Sequence, residues 1–323
     1  MELTEGCNRI CSFCGLNGIR NKPGNYLHMG VRTAEAAAKG LSKLCPTARY
    51  EFAMHGEPLQ HPKFLDIISI YRKWLPKAQF SLATNGRVWL GGAMQTGVVS
   101  LFEAGIDIII LDTYDPERRR LHKRVAELKD IDVRDFYEDC VPTKFSPYHN
   151  HQRKVRGLLV VMDDIGMRDG EVKSRTVMNH AGNADDKPLP PEPLKKTCTL
   201  PFREMSICYD GDVNICCMDW GHEYVCGNVN ENTPKEIWEG AVFMAARKVL
   251  GQKNREFSPC NRCDAGSGSR AGLLPKLGVP TPTDLVTVRG TVERQTGRNY
   301  VKLKAFHGIE GSTCGLPKRW DEV

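Results

Sequence analysis

Three cysteines within eight residues, Cys7-Asn8-Arg9-Ile10-Cys11-Ser12-Phe13-Cys14, constrain this chain more than any other feature. Their spacing lets one tight loop present all three thiols to a single metal centre. A closed structural zinc site takes four protein ligands, whereas iron–sulfur clusters use thiolates as standard ligands. Three thiols leave one position open, as a cluster that must bind something else requires. The competing arrangement is a zinc loop completed from afar, by His28 or Cys45.

Around this loop the chain has 323 residues, of which 41% are hydrophobic and 26% charged, enough for a barrel-sized core with an appendage. Thirteen cysteines, an odd number at uneven spacings, follow a start (Met1-Glu2-Leu3-Thr4) that lacks the basic and apolar regions of a secretory signal. Metal ligation is then a better use for them than disulfides, and the cytoplasm is the expected compartment. No apolar run approaches the roughly 20 residues of a membrane span, so no membrane association is expected.

Strand and helix signals alternate after the loop. A short strand over Glu2 to Glu5 feeds the cysteines, and helices are expected over Ala34 to Leu44 and Phe64 to Trp74. Strands are expected at Tyr50 to Met54, Gln79 to Ala83, Ile106 to Leu111 and Gly157 to Met162, with Asp135 to Pro147 ambiguous. The near-continuous apolar run at Ile106 to Leu111 suits a strand buried on both faces. Polar segments stand at the strand ends: His55-Gly56-Glu57-Pro58, Thr84-Asn85-Gly86 and Asp112-Thr113. In a parallel barrel that rim carries the active site.

The cysteine loop after a first strand resembles the signature of the radical S-adenosylmethionine (radical SAM) superfamily. The resemblance implies a 4Fe–4S cluster on Cys7, Cys11 and Cys14 whose open iron binds the amino and carboxylate groups of S-adenosylmethionine. The 5′-deoxyadenosyl radical released from that cofactor takes a hydrogen atom from substrate. Phe13 matches the aromatic position whose backbone meets the adenine. His55-Gly56-Glu57-Pro58 resembles the segment that holds the methionyl amino group, with His55 in place of the first glycine. Thr84 and Asn85 match a motif at the third strand end, and Asp112 stands where a ribose contact is expected. Arg175 and Asn179 lie where related enzymes contact the cofactor carboxylate or the substrate, as an arginine fork suits.

Cys198 to Cys263 holds seven of the thirteen cysteines, beyond a proline-rich connector at Asp185 to Pro193. Cys198, Cys216, Cys260 and Cys263 can close either a zinc site or a cluster. Their arrangement resembles the Twitch domain, the shortened form of the SPASM domain, which implies one auxiliary 4Fe–4S cluster and hence two in all. Ile237-Trp238 matches a short helix of that domain. Cys217, beside a ligand, implies either a hydrogen donor in a redox-neutral isomerisation or epimerisation, or a spare thiol, in which case the auxiliary cluster takes an electron in a dehydrogenation.

The expected fold class is thus α/β: a partial (β/α)6 TIM-like barrel over residues 1–184, a Twitch-like domain over 185–265, and a basic β-hairpin extension over 266–323. Charge is concentrated in that extension, where the stretch from Ala265 carries nine Lys/Arg against five Asp/Glu, most of the chain's +6. A second basic segment is Arg118-Arg119-Arg120-Leu121-His122-Lys123-Arg124. Both permit phosphate-backbone contact, and both suit an ordinary solvated face. The blocks around Cys7 and Glu57 also look like a phage-associated branch of the superfamily, which brings a hypermodified thymine in DNA into view as substrate. The alternatives are a sugar or aminocyclitol, a peptide side chain, or, outside enzymes, a zinc-stapled nucleic-acid-binding protein. The resemblance further implies a reducing partner such as flavodoxin or ferredoxin.

Overall fold

The computed structural model describes residues 1–16, 24–114, 116–137, 141–145, 157–163, 167–168, 171–172, 178–184 and 187–265. The hairpin expected between Leu285 and Phe306, and Arg175, lie outside them. In chain order the main elements are β1 (Thr4–Glu5), β2 (Leu27–His28), α1 (Val31–Leu44), β3 (Arg49–Glu51), α2 (Phe64–Trp74) and β4 (Gln79–Thr84). Then come α3 (Met94–Ala104), β5 (Ile108–Thr113), α4 (Arg118–Ala126), β6 (Asp132–Tyr137), β7 (Val141–Phe145) and β8 (Leu158–Asp163). A minimal hairpin, β9 (Met167–Arg168) with β10 (Glu171–Val172), precedes β11 (Ser206–Ile207), β12 (Asp212–Asn214), β13 (Val225–Asn228), α5 (Pro234–Trp238) and α6 (Ala241–Gly251).

Residue periodicity accounts for the core. On α1, Ala34, Ala37, Ala38, Leu41 and Leu44 fall on one buried stripe, and on α2 Phe64, Ile67, Ile68 and Tyr71 do the same. These stripes cover the sheet, where Phe52 meets Tyr71 and Phe80 edge to face at 5.2 and 5.1 Å. All six residues of β5 are buried, as its β-branched run predicts for a central parallel strand.

The sheet order is β3-β4-β5-β8-β6-β7. Strands β3, β4, β5, β8 and β6 run parallel, while β7 is antiparallel to β6. This departs from the expected succession of six βα units. Only three residues link β6 to β7, and a parallel return needs a crossover of a dozen or more, so β7 can only fold back as a hairpin. The ambiguous stretch is this hairpin, and β6 lies on the far side of β8.

After residue 187 the chain forms a small unit on a three-stranded antiparallel sheet, β11-β12-β13. The short helix α5 starts in a capping box in which Thr233 and Glu236 satisfy each other's backbone N–H groups. Two buried arginines hold the unit together. Arg247 donates to the carbonyls of Pro201 and Trp238 and stacks 3.8 Å from the Trp238 ring. Arg255 donates to Lys196 and Ala265, tying the start of the unit to its end.

Candidate iron–sulfur and cofactor site

Strand β1 passes directly into the first cysteine loop at the C-terminal rim of the sheet. Gly6 bridges Gly56 in parallel, Glu57 N–H donates to Gly6 at 2.9 Å, and Gly6 N–H donates to His55 at 3.3 Å. The approach is so close that a Cβ on Gly56 would stand 2.3 Å from the Thr4 carbonyl oxygen and 2.5 Å from that of Gly6. Only glycine fits there, which explains the glycine that the rim segment retains. The loop tightens with Cys14 N–H donating to the Cys11 carbonyl at 3.0 Å.

Residues from the ends of other strands clamp this loop. The Asn85 side-chain amide lies 3.5 Å from Cys7 Sγ and 2.9 Å from Asn8 Oδ1. Arg87 reaches the Asn8 carbonyl, and Glu117 pairs with both Arg9 and Arg87. Phe13, buried, packs 5.8 Å from Tyr114, and Arg9 lies over the same tyrosine. A cleft lined by Arg9, Cys11, Ser12, Arg87 and Glu117 opens beside the thiols. Burial pushes the Cys7 thiol up to about 12 and the Cys14 thiol up to about 11, and a bound metal centre inverts that preference by stabilising the thiolates.

Glu57 is the hub of the rim. One carboxylate oxygen accepts from Thr84 Oγ1 at 2.7 Å and from Leu59 N–H at 3.1 Å, and the other accepts from Asn85 N–H at 2.8 Å. Burial, reinforced by neighbouring Asp112, nonetheless pushes its carboxyl up to about 7. Pro58, Thr84, Asn85 and Asp112 are all buried around it. His55, fully buried, donates from Nε2 to the carbonyl of Cys217 at 3.0 Å and so links this rim to the C-terminal unit. The two bodies also meet at Trp220, 4.6 Å from His55 and 4.7 Å from His180. A Cβ on Gly15, next to Cys14, would press against Trp220 at 2.7 Å.

Cys198, Cys216, Cys260 and Cys263 are all buried. Cys198 comes from the segment before β11, Cys216 from the turn after β12, and the last pair from a single helical turn over Cys260–Arg262. Burial raises every one of these thiols, and Cys198 adds to the rise at each of the other three, which places the four in one electrostatic neighbourhood.

Thiol spacing separates a cluster from a single ion. Thiolates bound tetrahedrally to one zinc at about 2.3 Å stand about 3.8 Å apart. Among the described residues the one trio of His, Cys, Asp or Glu ligand atoms mutually within 4.8 Å is Glu2, His55 and His222, so no three of these seven thiols crowd together as zinc would have them. Thiolate donors in these numbers are those that iron–sulfur clusters take, so the donor chemistry fits.

Comparison with known proteins agrees. Residues 198–264 match the SPASM family, an iron–sulfur cluster-binding domain. A curated relative, the S-adenosyl-L-methionine-dependent 2-deoxy-scyllo-inosamine dehydrogenase of Niallia circulans, is 23% identical over 265 residues, covering 82% of this chain and 91% of its own length. The crystal structure of BtrN in complex with AdoMet and 2-DOIA superposes with a TM-score of 0.62 at 20% identity, again covering 82% of this chain and 91% of that one. An open conformation of BtrN gives 0.53 at 19% identity over the same shares. The fold and the two thiol sets of this chain resemble those of radical SAM enzymes. The chain's C-terminal unit is a SPASM/Twitch-type iron–sulfur domain.

Several residues singled out in the sequence have more specific surroundings than expected. The Asn179 side chain donates to the Arg262 carbonyl at 2.7 Å and accepts from Asp264 N–H at 3.2 Å, so it braces the Cys260–Cys263 turn. The Cys217 thiol has Glu204, Glu51 and the amino terminus as charged neighbours, and burial pushes it up. Trp220, His180 and His222 carry no local spacing that marks them: Trp220 meets His55 and His180, and His222 meets Glu5, from distant parts of the chain.

Proposed function

We propose that this enzyme is an S-adenosylmethionine-dependent dehydrogenase that oxidises a secondary alcohol of a small polyhydroxylated ring, a sugar or aminocyclitol, to the ketone. The observation that carries this reading is the second thiol set: four protein thiols saturate a four-iron cluster, leaving no open iron for substrate, so the site suits electron transfer. When bound, the first cluster with S-adenosylmethionine supplies a hydrogen-abstracting 5′-deoxyadenosyl radical, and the second cluster accepts one electron. Loss of the carbinol hydrogen atom, the hydroxyl proton and that electron balances the oxidation.

The protein's part is to hold and enclose. Cys7, Cys11 and Cys14 hold the first cluster, with Asn85 and Asn8 fixing the Cys7 end. Phe13, His55, Gly56, Glu57, Pro58, Thr84 and Asp112 frame the nucleoside and methionyl parts of the cofactor at the strand ends, and the Phe13–Tyr114 wall excludes water. Cys198, Cys216, Cys260 and Cys263 hold the second cluster. In this reading Cys217 is a spare thiol beside the second cluster and returns no hydrogen atom to the substrate. A one-electron donor of the flavodoxin or ferredoxin kind belongs to the same reading. The thymine-in-DNA reading, which came from the blocks around Cys7 and Glu57, draws no support from the relatives above, and the basic segment that permitted phosphate contact is helix α4, which buries Leu121 and Val125 and turns Arg119, Arg120 and Lys123 to solvent. No helix among the described residues is long and apolar enough to cross a membrane.

Anaerobic reconstitution followed by a screen of aminocyclitols and sugars deuterated at the carbinol carbon tests this reading. Deuterium in 5′-deoxyadenosine together with an equivalent of ketone is the expected result. Deuterium transfer with an epimer and no ketone would overturn it in favour of isomerisation.

A further inference from the structure

Apart from the seven cluster cysteines, five metal-ligating side chains from distant parts of the chain converge behind the rim. Glu2 and Glu5 come from the amino-terminal strand, His55 from the strand end, and Cys208 and His222 from the C-terminal domain. Glu2, His55 and Cys208 are 0% exposed, and Glu5 only 2%. Ligand atoms of Glu2, His55 and His222 lie mutually within 4.8 Å.

The hydrogen bonds fix what His55 offers. Its Nε2 faces the Cys217 carbonyl, which can only accept, so Nε2 donates there and Nδ1 is the ring nitrogen left to meet Glu2. Nδ1 lies 3.0 Å from Glu2 Oε1, with both side chains wholly buried. A carboxylate and an imidazole this close in a dry interior need either a proton or a metal cation between them. Metal-bound histidines show this arrangement, donating the second ring nitrogen to a carbonyl while the first holds the ion.

We propose that Glu2, His55 and His222 bind one divalent transition-metal ion of the zinc or iron(II) class, separate from both clusters. The donor set, two imidazoles and a carboxylate, is one that both ions take. The fourth position falls to Cys208, whose Sγ is 3.6 Å from His222 Nε2, or to Glu5, whose Oε2 is 3.8 Å from the same nitrogen. With Cys208 as thiolate the site is neutral, since the ion's two charges match one carboxylate and one thiolate. His222 is presented from a backbone in the left-handed region (φ 52°), and Asp219 holds that turn by accepting from the N–H groups of Glu223 and Tyr224. The ion staples the amino-terminal strand and the cofactor rim to the auxiliary domain.

The test is metal analysis of the chelator-washed holoprotein with both clusters in place. About one zinc per chain beyond the cluster iron is expected, with a zinc absorption-edge shell of N/O ligands near 2.0–2.1 Å. If the ion is iron(II), Mössbauer spectra show a high-spin ferrous component outside the clusters instead. Either signal should be lost in Glu2→Gln and in His222→Gln, while cluster iron and sulfide stay at wild-type levels. Should Glu2→Gln fail to fold, His222→Gln, on a half-buried turn, decides alone. Absence of any non-cluster metal in the wild type, or a content unchanged in His222→Gln, overturns the proposal, and neither result bears on the dehydrogenase reading.

Discussion

The two cluster sites solve one chemical problem in opposite ways. The first gathers three thiols from eight consecutive residues in a loop that is only partly buried, beside an open cleft. The second draws four buried thiols from segments spread over 66 positions, residues 198 to 263, and embeds them in the packing of a domain. A local, open loop leaves an iron free for a cofactor and costs little order when it is empty. A dispersed, closed set leaves nothing free and makes the cluster part of the domain's own core. The difference predicts that damage at the first site shows in chemistry and damage at the second shows in stability.

The largest effect should separate them outright. Cys11→Ala should abolish release of 5′-deoxyadenosine while roughly half of the about eight cluster irons remain, which metal analysis and a cleavage assay check together. Its melting temperature should move little. Cys260→Ser should lose the other half of the iron and, because three thiols are left buried around a hydroxyl with no cluster to bind, should cost on the order of 4 kcal/mol or more, a fall of about 10 °C. Equal melting losses in the two variants, read by differential scanning calorimetry under argon, would erase the distinction between a local loop and a structural core.

This contrast was only half legible in the sequence. The Cys7–Cys14 loop is visible because its chemistry and its spacing lie in one window, and the strands at Gln79–Thr84 and Ile108–Thr113 announce themselves by apolar runs. The four dispersed thiols could be grouped only through a family likeness. Two things were not readable at all. The position of β6 beyond β8 depends on which sheet edge a strand finds, and the order of strands leaves no mark on local periodicity. The convergence of Glu2, His55, Cys208 and His222 pairs residues up to 220 positions apart, each of which alone looks like an ordinary polar residue. His55 itself was noticed only as a departure from glycine; its role as a tie to the auxiliary domain required the Cys217 carbonyl to be in place.

The first loop, though local, is clamped from afar, and that clamp sharpens the comparison. Gly56→Ala would drive a Cβ into the Thr4 and Gly6 backbone, which cannot move aside as a flexible side chain would. Overpacking of this kind typically costs about 1–3 kcal/mol, and here it should fall on the registry of the cysteine loop. Cofactor cleavage should therefore drop by more than the melting temperature suggests. A variant that melts early yet cleaves S-adenosylmethionine normally would show that the loop does not need its seat.

The smallest and most diagnostic effect concerns Glu57. Its folded-state carboxyl is raised from 4.5 to about 7, chiefly by burial, so folding favours the protonated form. The stability that this preference contributes is fully present below about 4.5, and it is lost as pH rises through about 7. Glu57→Gln removes the titration but keeps one oxygen to accept from Thr84 and Leu59, and turns an amide toward the Asn85 N–H, a mismatch worth about 1–3 kcal/mol. The melting-temperature advantage of wild type over the variant should accordingly be larger at pH 5 than at pH 8. If that advantage is flat across the range, the Glu57 carboxyl is ionised throughout, and the three hydrogen bonds at the rim outweigh the cost of burying its charge.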